Sequence, residues 1–129
     1  MVHKKRRAIT GLVAVSLAVL LVWPVTAPMR GRMAARFDAR LGHYKVLAYG
    51  LPPIWRSEYA RLLEKKYGIE VHTVALCLVS EALRSYADSY NSVSVAATNR
   101  KFGHDVFEEC AEESRRKFES CRAVNTARK

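Results

Sequence analysis

Cysteine is scarce and late in this chain: there are three, and none precedes Cys77, which excludes a lipid-modified cysteine behind the apolar N-terminal run. Acidic residues are also few, 12 against 22 Lys and Arg. The longest amphipathic stretch, Ser80 to Phe102, has no paired carboxylates on one face, no ligands at metal spacing and no nucleophile beside a base. An active site of any familiar hydrolytic or metal-dependent kind is therefore not written there.

The formal net charge of +10 invites a nucleic-acid reading, but its distribution argues otherwise. Lys4, Lys5, Arg6 and Arg7 supply four of those charges, and Arg30, Arg32, Arg36 and Arg40 against Asp38 supply three more. Residues 41 to 129 carry only the remaining three. The basic groups flank an apolar segment, which favours lipid headgroups over nucleic acid as their partner.

That segment, Ala8 to Ala27, contains no charge and follows a basic block. About 20 helical residues span roughly 30 Å, a bilayer core, and Trp23 lies where an interfacial aromatic belongs. The densest part, Ile9 to Val22, is also short enough for a signal peptide cleaved near Ala27, after the breaker Pro24. Pro28 is a poor first residue for such a product, so the expectation is an uncleaved single-pass anchor, with a secreted or periplasmic product as the alternative. Lys and Arg are nearly balanced on the two sides, and the export-like KKRR block favours N-in, with the body outside the cytoplasm. Residues 1–28 are thus read as anchor or signal and 29–42 as a basic juxtamembrane linker. Met29, Met33, Phe37 and Leu41 recur at every fourth position within it, the pattern of a short basic helix lying on headgroups.

From residue 43 the pattern is that of a small folded domain reaching to residue 121, with a polar tail over 122–129. His43–Tyr49 reads as a strand closed by Gly50, and Pro52 and Pro53 lead into a helix over Ile54–Tyr67 ended by Gly68. Ile69–Val79 is rich in β-branched residues and is taken as a strand over at least Ile69–Ala75. Ser80 N-caps the next helix, whose apolar positions Val79, Leu83, Tyr86, Tyr90, Val93 and Ala97 mark its expected inner face. Gly103 is placed to close that helix in a left-handed conformation, and Asp105 to start a last helix folding back on it, with Phe107, Cys110, Ala111, Ser114, Phe118 and Cys121 on one side. The expected class is helix-dominated α+β: an N-terminal apolar helix, a βαβ unit and a two-helix hairpin. The alternative is an all-helical hairpin with helix beginning at Thr73, in which Val71 is not a strand residue.

GHYKVLAYGLPP, KKYGIEV, YADSYN and NRKFGHDVF together resemble segments of small uncharacterised bacterial proteins that carry an N-terminal membrane or export segment. The resemblance spans most of residues 42–110 and implies a bacterial setting and no activity.

Candidate chemistry is sparse. Cys110 and Cys121 are eleven residues apart on one helix, about 16 Å along the axis, too far for a disulfide. A Cys77–Cys121 bridge requires the last turn to unwind, so three free thiols packed as small hydrophobes are expected. His72 near Cys77, and His104 with Glu108, are the only pairs hinting at nucleophilic or metal chemistry, and no metal or other cofactor is expected. If the strands are parallel, their C-terminal ends mark a possible ligand site near Trp55, Cys77 and Ser80. Tyr86 and Tyr90, at helical spacing, are read as a tyrosine-bearing partner surface whose rings sit at the core edge with their hydroxyls in water. Two functions follow. One is a non-enzymatic, membrane-anchored or exported protein that contacts another protein and no nucleic acid, with residues 8–27 in lipid. The other is a ligand binder or enzyme at the strand ends.

Overall fold

The computed structural model describes residues 16–17 and 22–127. Its elements are α1 (Ala27–Arg40), β1 (Tyr44–Tyr49), α2 (Arg56–Tyr67), β2 (Ile69–Ala75), α3 (Glu81–Phe102) and α4 (Val106–Ala127). The fold is α+β and helix-dominated, as expected, and β2 rules out the all-helical alternative. Most of the N-terminal apolar segment lies outside the described residues. Within them, no helix is long and apolar enough to cross a membrane.

β1 and β2 pair in parallel, with Tyr44 opposite Ile69, Val46 opposite Val71 and an irregularity between Ala48 and Tyr49. Parallel pairing requires a crossover, and α2 provides it. Alternation along the strands then sends residues to two separate cores. Leu62 and Leu63 of α2, Ile69 of β2, and Val106 and Cys110 of α4 form the first, with Tyr44, Val46 and Val71 packed against it. Leu47 of β1 meets Ala87 and Tyr90 of α3 and Ala35 of α1 in the second. Leu63 and Ile69 are wholly buried, and each such side chain contributes about 1.5–3 kcal/mol.

A two-stranded sheet leaves each strand one unpaired edge, and α3 covers that of β1 with side chains. The Asn91 amide accepts a hydrogen bond from Leu47 N–H at 2.8 Å and donates one to Leu47 C=O at 2.7 Å. One turn further on, the Ser94 hydroxyl donates to Lys45 C=O at 2.6 Å. These groups stand in for a third strand.

Residues 29–42, expected as a linker, are mostly helix and belong to the body. α1 packs along α3 more extensively than any other pair of elements. Its buried positions are Ala27, Gly31 and Ala35, four residues apart and all small. A Cβ on Gly31 would strike the Tyr86 carbonyl oxygen and lie 3.2 Å from Tyr90 N. Two helix backbones therefore approach here as only a glycine permits. Met29, Met33, Phe37 and Leu41 are all exposed, since helical spacing turns the first three directly away from that buried line.

The inner face of α3 also differs from the one expected. Ala87, Tyr90, Ser94 and Thr98 are its buried residues, and Leu83 is only half-buried at the rim. The helix is clamped between α1 and β1, so burial follows the small residues that allow close approach, not the larger apolar ones. Ser80 caps α3 by accepting from Leu83 N–H at 3.2 Å, and Gly103 ends it at φ 78°, both as anticipated. After that turn α4 packs chiefly on α2 instead of lying back along α3. Asp105 caps it, accepting from Phe107 and Glu108 N–H at 3.0 and 3.1 Å. Helix continues through the expected polar tail to Ala127.

Equilibrium urea unfolding should rank three substitutions. Asn91→Ala leaves a donor and an acceptor of Leu47 unpaired and should cost about 2–4 kcal/mol. Gly31→Ala forces α1 off α3 and should cost about 1–3 kcal/mol. Gly103→Ala meets no neighbour and should cost about 1 kcal/mol through left-handed strain alone. A silent Asn91→Ala would refute the edge-covering role.

Candidate functional site

The residues expected at the strand ends take different surroundings. Trp55 precedes α2, its ring edge-on to Tyr59 at 5.8 Å and 5.3 Å from the Arg115 guanidinium of α4. Ser80 stands at the opposite side of the sheet end, in a cleft of about 400 Å³ lined also by Trp23, Arg30, Leu83 and Tyr86. Cys77 is exposed in the loop between β2 and α3. The three are thus spread along one end of the molecule.

Tyr86 and Tyr90 stack with ring centroids 6.4 Å apart, but they are not a paired surface. Tyr90 is 2% exposed, and its hydroxyl turns inward to donate to Asp38 at 2.6 Å. Lys45 approaches the same Asp38 oxygen at 2.9 Å. Burial opposes ionisation of Asp38, yet the hydrogen bonds from Tyr90 and Lys45 outweigh it and hold the carboxyl below its ordinary pKa. Burial, and then the same hydrogen bond, raise the pKa of the Tyr90 hydroxyl. Tyr90 is therefore a core residue joining α1, β1 and α3, and its hydroxyl does not reach water. Tyr86 remains half-buried at the cleft.

All three cysteines are free, as expected, but only Cys110 is packed. Burial raises its pKa, which disfavours the reactive thiolate. Cys77 and Cys121 are exposed, contrary to the expectation of buried thiols.

The densest polar cluster was not anticipated and joins α2 to α4. Tyr67 Oη donates to Glu109 Oε2 at 2.8 Å, and His104 Nε2 lies 3.0 Å from the same oxygen. His104 thus meets Glu109 and not Glu108, its expected partner. Lys66 contacts Glu109 at 3.0 Å and Glu113 at 2.6 Å. Lys117 then links Glu113 at 3.0 Å to Glu58 at 3.1 Å. Arg61 grips Glu58 through two hydrogen bonds of 2.7 and 2.8 Å. The two-pronged Arg61 contact, followed by Lys117, holds Glu58 at about 2, and Tyr67 followed by Lys66 holds Glu109 at about 2.

Chemically this is a clamp. Hydrogen bonding to Glu109 raises the pKa of the Tyr67 hydroxyl, which weakens it as a nucleophile or base. Glu109 is held ionised and its oxygens are engaged. Among the described residues there is no group of three or more His, Cys, Asp and Glu placed to hold a metal ion.

The clamp sets a pH dependence with a definite sign. Both carboxyls fall from an ordinary 4.5 to about 2 on folding, so their stabilisation is full above pH 4.5 and is lost as pH drops toward 2. The melting temperature of Glu109→Gln should lie below that of the parent at pH 7 and converge with it near pH 2. The gap should also narrow in high salt, because these groups are open to water. A gap independent of pH would rule out an electrostatic clamp.

Comparison of the chain with protein-family models, with curated proteins and with solved structures returns no match, so the reading of its role rests on its own residues.

Proposed function

We propose that this chain is a membrane-anchored, non-enzymatic protein of the bacterial envelope that binds a protein partner along α1. The observation that carries this reading is the outward face of α1. Met29, Met33 and Phe37 are exposed in line there, on a helix whose small residues already satisfy its packing against α3. A monomer gains nothing from that stripe, and such a face marks an interaction surface.

The lower part of the same helix adds charge. Arg36, Arg40 and Arg100 line a groove of about 480 Å³ between α1 and α3. Apolar stripe and arginine groove together suit a partner segment that is apolar with acidic flanks. This replaces Tyr86 and Tyr90 as the contact surface, because Tyr90 is committed to the core.

Anchoring is supported by what joins α1 to the uncharged run. Residues 22–25 are helical, and Arg30 N–H donates to Thr26 C=O at 3.0 Å. The Arg30 guanidinium covers the Trp23 ring at 3.9 Å and donates to Trp23 C=O at 3.0 Å. Ala27, beside the alternative cleavage point, is 1% exposed against α3. These contacts favour an uncleaved segment spanning the inner membrane once, with the run ahead of Trp23 in lipid, and the KKRR block before it keeps the body outside the cytoplasm.

Two measurements test the reading. The full chain should sediment with membranes and resist carbonate extraction, whereas a chain beginning at Val22 should be soluble. A photo-crosslinker at Met33 should give one discrete protein adduct in envelopes, lost with Phe37→Glu or Arg36→Glu but kept with Glu119→Lys on α4. Adducts indifferent to Phe37 and Arg36 would remove α1 as the partner surface.

A further inference from the structure

We infer that the end of the body where the two strands terminate is itself a bilayer-contacting face, formed by Leu51 and Ile54 from the β1–α2 loop and Leu76 and Leu78 from the β2–α3 loop. The inference rests on the anchoring proposed above and goes beyond it by fixing how the body is oriented on the lipid.

The two loops leave the same end of the sheet. β1 and β2 are parallel and stay paired past the irregularity after Ala48, with Tyr49 opposite Ala75, and Gly50 N–H donates to Ala75 C=O at 3.1 Å. Both chains therefore exit together. What they carry is unusual for exposed loops: Leu51 is 81% exposed, Ile54 78%, Leu76 54% and Leu78 92%. Single exposed leucines need no explanation, but four large aliphatic groups on two adjoining loops form a patch. Pro52 and Pro53 stiffen the first loop, so the patch is held up without further packing.

The occupant is indicated by where the uncharged run arrives. Trp23 shares a cleft with Ser80 and Leu83, at the N-terminus of α3 and directly after the Leu76–Leu78 loop. The uncharged run, most of which lies outside the described residues, therefore leads into the body at this end and not at the arginine groove. A segment seated in a bilayer would bring that end to the membrane surface. Exposed Trp23 and the Arg30 that covers it supply the aromatic and cationic groups suited to the headgroup layer. Aliphatic loop tips at this level enter about 5–10 Å into the boundary between headgroups and acyl chains. A soluble protein partner would require no such coincidence with the anchor.

Cysteine labelling provides the test. Cys77 lies exposed between Leu76 and Leu78, and Cys110 is buried. Cys121 is no control, because Arg115 beside Trp55 and Lys117 beside Glu58 bring that part of α4 to the same end. The control site is Lys65, exposed near the end of α2 just before β2 begins and so at the opposite end of the sheet. A full-length Cys121→Ser chain and a full-length chain with Lys65→Cys, Cys77→Ser and Cys121→Ser are each labelled with a nitrobenzoxadiazole probe under native conditions. They are then placed in vesicles of phosphatidylcholine and phosphatidylglycerol containing doxyl-labelled phosphatidylcholine. The probe at Cys77 should shift to shorter wavelength and lose most of its emission to the doxyl groups, and the probe at position 65 should lose little. Replacing Leu51, Ile54, Leu76 and Leu78 together by Ser should restore emission at Cys77 while the chain still floats with the vesicles and melts as before.

A chain that floats with Cys77 unquenched overturns this inference and leaves the anchor standing. A chain that does not float removes the anchor and this inference together. Equal quenching at both positions means the body lies on its side, and a blue shift without doxyl quenching means protein covers the loops; each also overturns it.

Discussion

A single asparagine stands in for a missing strand. A parallel pair of strands has no hairpin to stabilise it and leaves backbone donors and acceptors open along both edges. Asn91 closes the gap at Leu47 because a primary amide offers the donor and acceptor pair that a neighbouring backbone would present. Ser94 repeats half of this at Lys45. Once α3 is bound to β1 in this way, its opposite side is free to take α1, and the Leu47 side of the sheet acquires a second layer. The first core needs no such device, because α2 and α4 cover it with ordinary aliphatic groups.

Packing on the two sides of the sheet accordingly follows different rules. Leu62, Leu63, Ile69 and Val106 announce themselves by hydrophobicity, and the β1–α2–β2 order is legible in the residues alone. The α1–α3 contact uses Ala27, Gly31, Ala35 and Ala87, which carry little hydrophobic signal. Met29, Met33 and Phe37 carry a strong one and point the wrong way for folding. Periodicity finds a helix there and assigns its apolar face correctly, yet it cannot say that the opposite face is the one that packs. The same confusion rotates α3, where Leu83 looks like core and Thr98 does not.

The polar features are legible to different degrees. Ser80, Gly68 and Gly103 are local devices, each determined by the residues next to it, and they can be placed from the chain. Asp38 with Tyr90 is separated by 52 residues, and Tyr67 with Glu109 by 42. No local pattern announces such pairs, since they depend on the crossing of helices set by burial elsewhere. Strand order puts Trp55, Cys77 and Ser80 at one end of a parallel sheet, but topology alone does not say that the end is decorated with aliphatic loops instead of polar ones.

The reach from Asp38 to Tyr90 also sets an order of events for a chain that emerges from its N-terminus. α1 is synthesised ahead of β1, α2, β2, α3 and α4, yet its partner surface on α3 is made some fifty residues later, and the core under β2 waits longer still for Val106 and Cys110. α1 is thus made ahead of the elements it packs on and is among the last to be seated. Until then its small-residue face and its methionine face are both bare. On the anchored reading proposed above, the bilayer would be the nearest surface on which a half-made body could shelter them.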